Sequence, residues 1–171
     1  GEKPPEDDDF VHNFILAARR GEELGLEVKY SGARFETLIS KFCGAAGDSF
    51  TVLPEGIVTS CYEITEQSDQ RAKIFHYGCY DTQSQLFQFD DEQIRLLQHL
   101  SVDNLNHCAD CFCKWHCAGD CLARAFEGQS DMVHKGSIRC QINRNLTLAS
   151  MERLLDEAQL ERVSANTGGD I

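Results

Sequence analysis

Apolar residues recur at helical spacing near both ends of the chain, and the pattern between them is mostly that of strands. Phe10, Phe14, Ala17, Ala18 and Leu24 share one helical face, with aspartates ahead of them as a cap and Gly25 as a stop. In "LEVKYSG" the period changes to two, and Leu26, Val28 and Tyr30 alternate as in a strand. From Phe50 to Phe89 the apolar runs are short. Pro54-Glu55-Gly56 divides the first two predicted strands, and "KIFHYGCYD" and "QLFQFD" supply two more. "DDEQIRLLQHL" returns to helical spacing. Asp90 is its cap, Gln93 follows three residues later, and Ile94, Leu97 and Leu100 form the stripe. "CAGDCLARAFEG" predicts a further helix closed by Gly128. The last helix covers 141–162 through Leu146, Leu148, Met151, Leu154, Leu155 and Leu160, with "SANTGGDI" fraying beyond it.

These elements predict an α+β fold. A helix feeding a strand over residues 10–30 looks like the closing unit of a larger α/β barrel, or like a helix packed beside a small sheet. With 171 residues, 42% of them hydrophobic, the chain can bury a core without covalent staples. "GEKPPEDDD" is acidic, contains proline and lacks apolar periodicity, which predicts a disordered lead-in over residues 1–9. A formal net charge of -12 argues against general binding of nucleic acid, because phosphates are repelled. No apolar run has the roughly 20 residues that span a bilayer, so no membrane partner is expected. The chain opens on Gly1 and not on Met, as a fragment of a longer protein would.

Nine cysteines change this picture. Cys108, Cys111, Cys113, Cys117 and Cys121 lie within "CADCFCKWHCAGDC"; Cys43, Cys61 and Cys79 precede it and Cys140 follows. The odd count, the chain length and the crowded spacing point away from a secreted disulfide scaffold. They favour metal ligation in a reducing, cytoplasmic setting. Thiolates two to four residues apart can converge on one centre, because a loop or helical turn brings their sulfurs together. A tetrahedral zinc takes four ligands, and so does a [4Fe–4S] cluster. Seven or eight thiols therefore imply two centres. Gly56, five residues before Cys61, predicts a tight turn that lets the backbone approach the site.

Leaving Cys113 aside, the pattern is Cys43, then Gly56-x4-Cys61, then Cys108-x2-Cys111-x5-Cys117-x3-Cys121, then Cys140. It resembles the SPASM domain, the C-terminal extension of many radical S-adenosylmethionine enzymes that modify peptides and proteins. The resemblance covers roughly Phe35 to Cys140. It implies two auxiliary [4Fe–4S] clusters. Cys108, Cys111, Cys117 and Cys140 would ligate the outer one, and Cys43, Cys61 and Cys121 the inner one. Sulfatase-maturating relatives have a fourth inner cysteine shortly before the position of Cys43, but Arg34 to Phe42 contains none. The fourth inner position is then open, or is filled by Cys79 or, with less support, Cys113. The resemblance divides the chain into the lead-in, a barrel remnant at 10–34, the SPASM domain at 35–163 and a disordered tail at 164–171.

The resemblance further implies an oxidoreductase-type maturase in which these clusters carry electrons, bind substrate, or both. The catalytic C-x3-C-x2-C of such enzymes is absent here, so this chain is expected to bind no S-adenosylmethionine and to hold no catalytic residue of its own. Implied partners are its own N-terminal radical S-adenosylmethionine barrel, a peptide or protein substrate, and a reductant of the flavodoxin or ferredoxin type. The alternative is a structural zinc module for protein interaction, built on the same thiols.

Other residues near the cysteines have plainer readings. His107 and His116 are expected to support ligands or face solvent, and Phe112 and Trp115 to shield a cluster from water. Lys114 and Arg124 are solvated or offset cluster charge. "GAAG" at 44–47 lacks the lysine of a phosphate loop and predicts close passage around a cluster. "NLT" at Asn145 is a chance match to a glycosylation site, within a predicted helix.

Overall fold

A computed structural model describes residues 5–129 and 131–167. The order of elements is α1 (Asp7–Glu23), β1 (Thr51–Val52), β2 (Ile57–Thr59), α2 (Ala72–Phe75), β3 (His76–Asp81), β4 (Leu86–Phe89), α3 (Asp91–Gln98), α4 (Lys114–Cys117), α5 (Leu122–Ala125) and α6 (Cys140–Thr167). The fold is thus mixed helix and sheet.

α1 starts at Asp7, so Asp7, Asp8 and Asp9 form its first turn instead of belonging to a disordered lead-in. Their charges complement the positive end of the helix. Gly25 ends the helix at φ +69°, where the Gly25 N–H donates to Glu22 and the Leu26 N–H to Gly21. This pair of bonds satisfies the last carbonyls and needs a left-handed residue. The strand expected at Leu26–Tyr30 does not form. These residues run back past the end of α1, no ladder partner stands beside them among the described residues, and Leu26 stays exposed. Tyr30 instead joins Phe10 and Phe14 in an aromatic cluster, and its hydroxyl donates to Asn143 Oδ1 at 2.8 Å.

The four strands form an antiparallel meander in the order β1-β2-β3-β4. Gly56, at φ +81°, turns the chain between β1 and β2, and its carbonyl accepts from Tyr80 N–H. Its role is in the hairpin and not beside a thiol. Lys73–Phe75 was expected to be strand. It closes as the single turn α2, because the Asp69 side chain and carbonyl hold the Arg71 and Ala72 N–H groups. α3 forms as its pattern predicts, with Asp90 Oδ1 accepting from the Glu92 and Gln93 N–H groups. Gln93 does not reach back to its own cap; it donates to the Ile74 carbonyl and ties α3 to α2. Val58, Ile64, Ile74, Phe75, Leu97, Val102 and Phe126 fill the core between sheet and helices.

The helix expected over "CAGDCLARAFEG" is broken. α4 ends at Cys117, and Ala118, Gly119 and Asp120 all adopt left-handed backbone at φ +46°, +80° and +66° before the single turn α5. α6 is longer than its pattern predicts and runs to Thr167, so residues 164–167 are helical. Residues 1–4 and 168–171 lie outside the described residues. α6 packs on α1, and Arg153 pairs with Glu22 across them. Leu146 is buried, whereas Leu148, Leu154 and Leu155 of the expected stripe are exposed. No described helix is long and apolar enough to cross a membrane.

Candidate metal centre

All nine cysteines are free thiols, and eight of them fall into two groups. Cys108 leaves a 3-10 turn, Cys113 and Cys117 lie on and just before α4, and Cys140 opens α6. With Cys111, His107, Gly119, Asp120 and Arg144 they line one cavity of about 20 Å³. Burial pushes the Cys108 thiol up to about 12, and Cys117, Cys140 and Cys111 push in the same direction. This is how thiols behave when a negative charge on one opposes charge on the next.

The second group is smaller. Burial raises the Cys61 thiol, and the thiols of Cys121 and Cys43 add to the effect. Cys43 is raised by burial as well, with Cys121 acting alongside and Arg34 opposing. Cys61 is buried and Cys43 exposed. Cys79 belongs to neither group. It is exposed on β3 opposite Gln88, in a groove with Ile57, Lys73 and His76 that contains none of Cys43, Cys61 and Cys121.

Two pairs with the same spacing show how one loop serves both groups. Cys113 and Cys117 are four residues apart on a continuous helical turn, where the Cys117 N–H donates to the Cys113 carbonyl. Their side chains consequently share one face. The Cys113 thiol donates to Cys117, which raises Cys113 and lowers Cys117. Cys117 and Cys121 are also four apart, but the left-handed break at 118–120 lies between them. The break turns Cys121 away toward Cys43 and Cys61.

Several residues not foreseen from the pattern hold the larger group. Asp120, only 1% exposed, accepts from Ser137 Oγ at 2.5 Å and from Arg139 Nε at 3.1 Å, and a second Arg139 nitrogen pairs with its other oxygen. This ties the loop after α4 to the start of α6. The Ser137 N–H then donates to Cys140 Sγ at 3.3 Å. An acid inside the cysteine run and an arginine beside Cys140 were the available signals in the sequence. Ala33 packs with Cys113 and Cys117 in a small buried cluster, and Tyr30, Phe35 and Cys111 pack against it. The Arg34 N–H donates to the His116 carbonyl at 2.8 Å, and His116 Nδ1 lies 2.9 Å from the Arg34 carbonyl. Phe112, 51% exposed, and Trp115, 37% exposed, do not line the cavity, so the shield comes from residues 30–35.

The histidines and charges also have defined places. His107 Nε2 lies 3.9 Å from Cys140 Sγ. Lys114 donates to the Ala109 carbonyl and sits over the Trp115 ring. Gly44 and Gly47 pack closely on Ser49 and on Gln98 of α3, so "GAAG" fits the loop to that helix.

Among the described residues, no three His, Cys, Asp or Glu side chains are set around a single metal ion. The donors are soft thiols, with Asp120 the carboxylate that shares the cavity lining, a chemistry that suits zinc as well as an iron–sulfur cluster. Each thiolate of a four-iron cluster binds a different iron, so the sulfurs stand wider apart than around one ion. Cys111 Sγ and Cys113 Sγ are 3.5 Å apart, and a cavity of about 20 Å³ holds little more than a water. A four-iron cluster would require these thiols to spread, and Cys111 lies half-buried in a loop.

No protein-family model matches the chain, and no curated protein or solved structure matches it either. The likeness to SPASM domains rests on the spacing of seven cysteines and one glycine.

Proposed function

We propose that the chain is an auxiliary-cluster domain of the SPASM kind, serving a radical S-adenosylmethionine enzyme that modifies a peptide or protein. The observation that carries this reading is the separation of the thiols into two groups by the break at 118–120. Cys108, Cys111, Cys117 and Cys140 would hold the outer [4Fe–4S] cluster, and Cys43, Cys61 and Cys121 the inner one. Bound clusters would supply one-electron transfer and, at an iron without a fourth thiolate, a point of attachment for substrate. Exposed Cys43 puts the inner group at the surface, and Cys79 lies elsewhere, which favours an open fourth position there.

The chain's own residues hold ligands and exclude water. The Ser137 N–H donates to Cys140 Sγ and fixes where that sulfur sits at the start of α6. Asp120 and Arg139 fix the loop that carries Cys117 against the helix that carries Cys140. Residues 30–35 keep solvent from Cys113 and Cys117. The peptide substrate, the barrel and a flavodoxin- or ferredoxin-type reductant are partners in this proposal.

Anaerobic reconstitution with ferrous iron and sulfide tests it. The expected product is brown, absorbs near about 400 nm and carries about eight irons per chain. A colourless protein that refuses iron and keeps stoichiometric zinc would make the domain a structural zinc module instead.

A further inference from the structure

Cys113 stands outside the seven-cysteine pattern, yet it is only 1% exposed and lines the same cavity as Cys108, Cys111, Cys117 and Cys140. Its sulfur lies 3.5 Å from that of Cys111 and shares a hydrogen bond with Cys117. The cavity is thus bounded by five thiols, and a [4Fe–4S] cluster accepts four.

We infer that Cys113 is an alternative ligand of the outer centre, interchangeable with Cys111 at one iron. The geometry explains the choice of partners. Cys108 and Cys140 approach from separate segments, a 3-10 turn and the first residue of α6, and no neighbouring thiol duplicates either of them. Cys117 is fixed on α4 with its backbone N–H bonded to the Cys113 carbonyl. Cys111 and Cys113 flank Phe112 and bring their sulfurs to the same corner of the cavity, so whichever moves outward leaves the other in place. Ala33 packs with Cys113, which is buried, and Cys111 lies half-buried against the same cluster. A packing role alone would make Cys113 a small apolar filler and leave Cys111 indispensable. Interchange makes Cys111 dispensable as long as Cys113 is present. The inference rests on the cluster reading above.

The test uses the whole chain, reconstituted anaerobically with ferrous iron and sulfide, as wild type, Cys111→Ala, Cys108→Ala and the Cys111→Ala/Cys113→Ala double variant. Iron per chain and the electron paramagnetic resonance spectrum of the reduced protein are measured. Cys111→Ala is expected to retain the wild-type iron content with a shifted outer-centre signal, while Cys108→Ala and the double variant each lose about four irons. The inner-centre signal, present in every variant, reports that the chain remains folded. Cys111→Ala losing as much iron as the double variant would overturn the inference while leaving the cluster reading intact. A wild type that takes up no iron would defeat the reading itself.

Discussion

At the scale of single residues, a buried ion pair between Asp120 and Arg139 joins the loop after α4 to the start of α6. Asp120 is closed off from water and its carboxylate is met from two sides, by Arg139 and Ser137. A pair of this kind adds little net stability over an apolar replacement. Removing one partner, however, strands a buried charge and costs about 3 kcal/mol or more. Arg139→Gln is therefore expected to lower the unfolding free energy by about 3 kcal/mol, read as a fall in the urea midpoint at constant slope. Because the same pair holds Cys140 against the loop of Cys117, the variant should also lose outer-centre iron before inner-centre iron when challenged with a chelator. Equal loss from both would separate the ion pair from the site.

At the scale of elements, the three left-handed residues between α4 and α5 decide which thiol goes where. Gly119 sits at φ +80°, and a Cβ there would meet Leu105 Cδ1 at 2.4 Å. Gly25 has a similar φ of +69° with nothing within 4 Å. The two glycines form a natural comparison. Gly25→Ala carries only the backbone strain, about 1 kcal/mol, while Gly119→Ala adds a clash with a buried leucine and should cost about 2 kcal/mol or more. Thermal unfolding of the two variants against wild type measures the difference. Equal shifts would mean that the loop absorbs the methyl group and is not tightly held.

At the scale of the molecule, what could be read in the sequence was whatever local chemistry encodes. The hairpin at Pro54-Glu55-Gly56, the Asp90 cap and the stop at Gly25 follow from turn and cap residues acting over a few positions. The break at 118–120 was not legible, because Gly119 and Asp120 tolerate positive φ without requiring it and Ala118 disfavours it. Asp120 is held there by Arg139, nineteen residues on. Tyr30, for its part, follows the demand of Phe10, Phe14 and Asn143 instead of a strand partner. Spacing suggested which cysteines matter. Which face each one takes depends on contacts distant in sequence, and so the place of Cys113 emerged only in three dimensions.

The central claim is that one short loop feeds two separate centres, and Cys117 and Cys121 are its two hands. Cys117→Ala and Cys121→Ala should each be reconstituted anaerobically, and the iron content and reduced-state electron paramagnetic resonance spectra compared with wild type. Each variant is expected to lose a different signal, Cys117→Ala the outer and Cys121→Ala the inner, so that the two remaining spectra add up to that of wild type. Loss of the same signal in both variants would contradict the account.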